Sequence, residues 1–235
     1  MNFTFNFPAL VLGLLVWCAI GFLAYRIYKK QTIKLKIWKV IIVVFVGIFS
    51  FTINWPMFDT LIKLPVLPLG VWILYFILRG KEERWQAYRS FAWLGFWANF
   101  IFLASTLLTI PIHYVAYPKD APSTYISNID NASIIYTHPS ADEQSLNKER
   151  FMKELPLMSQ SRIYSEEWYY ETYMHADSNK RNERFPYQLV GTSPKWGSAL
   201  NTIIYIENDG KGLLISTQKQ QQYFRSETSM LKEGK

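Results

Sequence analysis

Four apolar stretches occupy the first 117 residues of this 235-residue chain, and short segments rich in lysine and arginine separate them. One face of a small water-soluble domain cannot absorb so much uninterrupted apolar sequence. The stretches therefore constrain the fold more than any other feature, and they predict a bilayer as the solvent for this half.

The first stretch, Pro8 to Tyr25, is eighteen residues without a charge. At about 1.5 Å per residue it nearly matches a hydrocarbon core of roughly 30 Å. The second runs from Ile37 to Trp55. Lys39 near its start can extend its amine to the headgroups, and Trp38 and Trp55 bracket it as interfacial aromatics do. The third, Leu64 to Leu78, is shorter and has Pro65 and Pro68 at its start, where a first helical turn tolerates proline. A re-entrant or interfacial segment is the alternative there. The fourth, Phe91 to Val115, is long enough to cross with tilt, and Pro111 is positioned to kink or end it. The expectation is four transmembrane helices, at about 8–25, 37–55, 64–78 and 91–115.

Loop charges orient these segments. Arg26, Lys29, Lys30, Lys34 and Lys36 follow the first stretch, and Arg79, Lys81, Arg84 and Arg89 follow the third. The N-terminal tail has no charged side chain before Pro8, and the second loop has only Asp59 and Lys63. The positive-inside tendency places the first and third loops in the cytoplasm. The N-terminus and everything after Tyr117 then lie on the extracytoplasmic side of a cell membrane.

The overall pI of about 9.3 would suit a nucleic-acid binder, but the charge is unevenly divided. Residues 1–117 hold eleven Lys and Arg against three acids, a net of +8, whereas residues 118–235 hold fourteen against fifteen, a net of −1. The basic excess belongs to the loops between apolar stretches, which argues against nucleic acid as a partner and for the lipid bilayer. The one cysteine, Cys18, lies within the first stretch. It reads as a buried apolar residue and not as a lipidation site, because Trp17 stands where a small residue is needed. Asn99 is the one strongly polar residue in the middle of a stretch, and it reads as a hydrogen-bonding partner for a neighbouring helix, with a role in a solute path as the alternative. With no acid or base at membrane depth, transport by this half alone has little support.

From Pro118 the composition turns to mixed charge with recurring turn residues. Residues 118–235 read as a small α+β domain with an antiparallel sheet. Strands are expected at 133–137, 185–190, 200–207 and 213–217, with Asn208 to Gly212 as a hairpin turn. Ser140 and Glu143 have capping-box spacing, which predicts a helix from about Ala141 to Leu155. Residues 162–176 alternate as a strand would, although Ser165-Glu166-Glu167 equally suits a helix start. The tail from Gln218 reads as helical at first and then frayed.

Chemistry is thinly marked. The weak catalytic candidates are His138, His175 and Glu167, and the weak ligand-binding candidates are the aromatic residues Trp168, Tyr170 and Tyr173. His138 precedes a predicted helix start, a place where ligands bind, but a lone histidine there is more often a loop residue. His113 suits the headgroup region at the outer end of the fourth stretch. No H-E-x-x-H, paired cysteine or acid-rich loop suggests a metal, and nothing calls for a cofactor. The leading expectation is a multi-pass membrane protein whose extracytoplasmic domain binds a ligand or partner, in a sensor, assembly, immunity or accessory role, with a membrane-protein complex as a possible partner. One alternative is an envelope enzyme acting on lipid or cell-wall substrate at the outer headgroups through His113, His138 or His175. A second is a subunit of a transport complex.

Overall fold

A computed structural model describes residues 5–58, 60–80, 82–163, 183–218 and 220–233. Among these residues it contains five α-helices together with antiparallel sheets. The chain divides into two compact units, Phe7–His113 on one hand and Met1–Asn6 with Tyr114–Lys235 on the other.

The first unit begins with α1 (Phe7–Lys30), followed by α2 (Ile37–Ile48). A two-stranded hairpin comes next, β1 (Phe51–Met57) paired antiparallel with β2 (Thr60–Leu67). It leads into α3 (Leu69–Leu78) and then α4 (Glu82–Ala116). The two helices α1 and α4 are long and apolar enough to cross a membrane, while α2 and α3 are shorter apolar helices. Pro111 does not end α4, which continues to Ala116.

The predicted helices at 37–55 and 64–78 are thus cut short, because residues 51–55 and 64–67 are strand. The local sequence explains it. Ile53, Trp55 and Met57 alternate with Thr52, Asn54 and Pro56, a period of two. Pro56 and Pro65 would each break a helix but fit the outer edge of a hairpin. In the paired register Ile53 faces Leu64 and Trp55 faces Ile62, while Asn54 faces Lys63. The hairpin therefore has one apolar face and one mixed polar face.

Packing in this unit depends on close backbone approach. A Cβ on Gly47 of α2 would strike the Ala92 carbonyl of α4, and one on Gly95 of α4 would strike the Val44 carbonyl. A Cβ on Gly70 of α3 would strike the Val46 carbonyl of α2. Small residues at such crossings let helices gain dispersion contacts where water supplies no hydrophobic drive. Around them Val43, Val44, Val71, Leu74, Phe91 and Phe96 form the buried cluster. Val16 and Ile20 of α1 complete it, and the exposed Trp17 ring beside them has its centroid 5.4 Å from those of both Phe45 and Phe102.

The second unit is built on a six-stranded antiparallel sheet. Its strands are β3 (Ser133–Tyr136), β5 (Ser159–Ser161), β6 (Tyr187–Val190), β7 (Thr202–Ile206), β8 (Gly212–Thr217) and β9 (Gln221–Arg225). The spatial order is β3-β6-β7-β8-β9-β5, so that a meander from β6 to β9 is flanked by two short edge strands. Period-two alternation aligns Tyr187, Ile206, Leu213 and Phe224 in one cross-strand row and Leu189, Ile204 and Ile215 in the next. These side chains are buried together with Phe151, Leu155, Met158, Tyr125, Ile126 and Met230. Phe151 comes from the helix α5 (Lys148–Glu154).

Two expectations for this unit are corrected. The helix predicted from Ala141 starts only at Lys148, with the Asn147 side chain accepting from the Arg150 N–H at 3.2 Å. Ser140 does not cap, because its hydroxyl oxygen contacts the His138 ring and accepts from the Glu183 N–H. Residues 144–146 instead form β4, paired with β10 (Leu231–Glu233). The tail from Gln218, predicted helical at first, supplies β9 and β10. The polar glutamine run conceals a strand whose inward residue, Phe224, is fully buried.

Candidate functional site

Of the candidates named from sequence, Glu167, Trp168, Tyr170, Tyr173 and His175 lie outside the described residues. His138 is described. Its Nδ1 accepts the Ser140 backbone N–H at 3.2 Å and lies 2.8 Å from Ser140 Oγ. The Ser140 oxygen in turn accepts from the Glu183 N–H at 3.0 Å. Among the described residues this is a turn closed by a histidine two positions before its partner, which is the structural role of an Asx-type turn. His113 belongs to the first unit, in the last turns of α4. Groups of three or more His, Cys, Asp or Glu side chains able to hold a metal do not occur among the described residues.

The basic residues expected from sequence to orient the chain fall at helix ends or in the connections between helices. Lys29 and Lys30 end α1, Lys34 and Lys36 lie in the connection to α2, Arg79 follows α3, and Arg84 lies in the first turn of α4. Lys81 is outside the described residues. The Gln31 side chain donates to the Ala87 carbonyl at 2.7 Å, which ties the end of α1 to the start of α4. A shallow groove of about 610 Å³ at that junction is lined by Lys30, Gln31, Thr32, Glu82, Glu83 and Gln86.

The densest polar constellation was not visible in the sequence. Glu207, at the end of β7, is buried, and its carboxylate is surrounded by donors. Oε1 accepts from Arg184 Nε at 2.7 Å, and Oε2 accepts from the Tyr223 hydroxyl at 2.5 Å and from Arg225 Nη1. Arg225 Nη2 pairs with Asp209 at 2.5 Å, and the Arg184 guanidinium lies over the rings of Phe185 and Tyr223. Gly212 makes the space, since a Cβ there would strike Glu207 Oε2. The partners come from positions 16 to 23 residues away in sequence, so no local motif could have marked them.

The electrostatics of this group follow from its burial. Desolvation first, and the adjacent Glu207 carboxylate second, push the Tyr223 hydroxyl above its ordinary range. Arg225 is held charged by its bond to the Tyr223 hydroxyl, and then by Glu207 and Asp209, against the cost of burial. For Arg184 burial opposes the charge, yet the bonds to Glu207 and Tyr223 outweigh it and raise its pKa. Two guanidinium groups thus balance two carboxylates. The Glu207 carboxylate holds donors from Arg184, Tyr223 and Arg225, so the arrangement locks the end of the β7–β8 hairpin to β9.

A different feature bears on where the chain resides. The first residues described, Phe5 and Asn6, belong to the second unit. Asn6 forms a β-bridge with Ser198, and the Phe5 ring meets Trp196 at 4.9 Å between centroids. Close by, the Lys195 amine donates to the Ala116 carbonyl, the last of α4, and the Tyr117 hydroxyl donates to the Trp196 carbonyl. No protein-family model, curated protein or solved structure matches this chain, so its reading rests on its own residues.

Proposed function

We propose that the chain is a multi-pass membrane protein that holds residues 118–235 outside the cytoplasm, where this domain binds a ligand or a partner protein in a sensing, assembly, immunity or accessory role. The carrying observation is the large apolar surface exposed on every helix of the first unit. Leu14 and Phe22 of α1, Phe45 of α2, Phe76 and Ile77 of α3, and Trp97 and Leu108 of α4 are all exposed. Helices apolar on all sides require a solvent other than water.

The bridge between Asn6 and Ser198 supports an even number of crossings, because it puts the start of the chain and the second unit on one side. With α1 and α4 each crossing once, the segment α2–β1–β2–α3 returns to the side it left. The second and third crossings of a four-crossing topology therefore stand or fall together. Collection of the basic residues at the junction of α1 with α4 and at the free ends of α2 and α3 supports a cytoplasmic position for those ends.

Reporter fusions after Lys30, Asp59, Glu83 and Lys119 test this topology. The expected readings are cytoplasmic, outside, cytoplasmic and outside. A cytoplasmic reading at Lys119 would end the proposal. The binding role is tested by affinity capture of the intact protein in mild detergent, where recovery of a stoichiometric partner or ligand is expected. A homogeneous protein that brings down nothing, together with turnover of an envelope lipid or glycan by the purified chain, would replace this role with an enzymatic one.

A further inference from the structure

We propose that the β1–β2 hairpin is a lipid-facing element that completes the second and third crossings through the outer leaflet and holds its tip in the outer headgroup layer. This placement rests on the membrane reading proposed above.

Length makes the first case. The twelve residues of α2 rise about 18 Å and the ten of α3 about 15 Å, roughly half of a 30 Å core. The strands add about 23 Å and 26 Å at roughly 3.3 Å per residue. Each helix-plus-strand leg is therefore long enough to cross, and neither helix is long enough alone. A second ruler agrees. Asn99 of α4 bonds to Ile48 at the end of α2, and Asn99 lies ten residues, about 15 Å, beyond Arg89. If Arg89 marks the inner headgroups, the helix-to-strand break falls near the midplane. The hairpin then has the remaining half to cover, and Asn54, Lys63 and Trp55 arrive near the outer interface, where such side chains settle.

Backbone satisfaction is the obstacle, since an open strand edge in hydrocarbon leaves donors unpaired. The register reduces it. Met57 opposite Thr60 closes a two-residue connection, whose flanking pair exchanges both hydrogen bonds. Alternation then turns the backbone of Thr52, Asn54 and Pro56 toward one outer edge and that of Leu61, Lys63 and Pro65 toward the other. Each edge thus carries a proline with no N–H to leave unpaired. The same prolines obstruct addition of a further strand, which argues against a second copy or a peptide as the occupant. At the break itself the Ile48 carbonyl accepts from Asn99, and the Phe49 carbonyl accepts the Gly70 N–H at 2.7 Å.

The apolar face agrees with lipid. Ile53, Leu64, Trp55 and Met57 are exposed along it, and only Ile62, opposite Trp55, is buried. At the tip Phe58 is exposed and has φ of 52°, a left-handed conformation that costs an aromatic residue free energy. Glycine or asparagine would relieve that cost, and an aromatic ring at headgroup level gives a reason to bear it.

The test uses the full chain in vesicles of phosphatidylcholine and phosphatidylglycerol, with Cys18→Ser as background. Single cysteines at Ile53, Leu64 and Met57, and at Leu14 of α1 as reference, carry a nitroxide whose collisions with oxygen and with a water-soluble nickel complex report depth. Oxygen accessibility several-fold above nickel accessibility is expected at Ile53 and Leu64, as at Leu14, with Met57 intermediate. Nickel-accessible labels at Ile53 and Leu64 beside a lipid-exposed Leu14 would overturn the hairpin placement alone. Labels shielded from both reagents would overturn lipid as the occupant in favour of protein. A water-exposed Leu14 would instead remove the membrane reading on which the placement depends.

Discussion

The Asn99 amide of α4 donates to the Ile48 carbonyl of α2 at 3.0 Å, and also to the Phe96 carbonyl one turn back at 3.0 Å. Ile48 is the last residue of α2, so its carbonyl has no partner within the helix. One polar side chain thus supplies the partner for a helix that ends among apolar neighbours.

Removing that donor should therefore weaken the junction of α2 with β1. Asn99→Leu is expected to cost about 1 kcal/mol, the net worth of a typical hydrogen bond, because the Ile48 acceptor is only half-buried. Equilibrium unfolding of the intact chain in mixed micelles checks it, and an unchanged midpoint would show that the bond contributes nothing.

The glycines of the first unit are not equivalent. Gly95→Ala places a methyl against the Val44 carbonyl and the backbone of Gly47, groups that cannot turn aside. A loss of about 1–3 kcal/mol is expected. Gly13→Ala meets nothing within 4 Å and lies in a helix interior, so its stability should stay the same or rise by up to about 1 kcal/mol. Measuring the two variants side by side separates packing from helix propensity.

Glu207 holds two guanidinium groups and a phenol, and its loss leaves them facing one another. The arginine side chains are 27% and 39% exposed, so water screens part of the effect. Glu207→Gln should destabilise the second unit by about 1–3 kcal/mol. Tryptophan fluorescence cannot isolate this unit, but amide hydrogen exchange at Ile206 and Leu213 can, and faster exchange there is the expected outcome.

Alkaline pH should act on the same unit. Burial is the first cause that raises the Tyr125, Tyr187 and Tyr223 hydroxyls above their ordinary range. A proton bound more tightly in the folded state contributes stability below the unfolded pKa, and that contribution is lost as pH rises through the folded value. Stability should thus fall from about pH 10 upward. Tyrosinate absorbance in the folded protein should lag behind that of the denatured chain, and Tyr223→Phe should remove part of the lag.

Some of this molecule follows from local sequence. Uncharged runs at Pro8–Tyr25 and Phe91–Val115 suffice to specify helices long enough to cross a bilayer, because length and apolarity alone demand intra-segment hydrogen bonding. Alternation of β-branched and aromatic residues likewise marks β3, β6, β7 and β8, and Gly210, with φ of 70°, marks the turn between the last two. The break of α2 at Ile48 is different. Apolar composition is the same in a helix and in an exposed apolar strand, so only the short alternation at 52–57 and the prolines Pro56 and Pro65 mark the hairpin locally, and the Asn99 side chain that meets the end of the helix is 51 residues away.

Tertiary structure also decided what the polar residues do. Ser140 and Glu143 have the spacing of a helix cap, yet Ser140 is drawn into the His138 turn and the helix begins at Lys148, capped by Asn147. The glutamine-rich tail becomes a strand because Phe224 fits the core row beside Leu213. Glu207, Tyr223, Arg225 and Arg184 carry no spacing signal, since cross-strand neighbours are set by register and not by distance along the chain. Residues near in sequence determined apolar length and much of the secondary structure; residues far apart determined where helices stop and which charges meet.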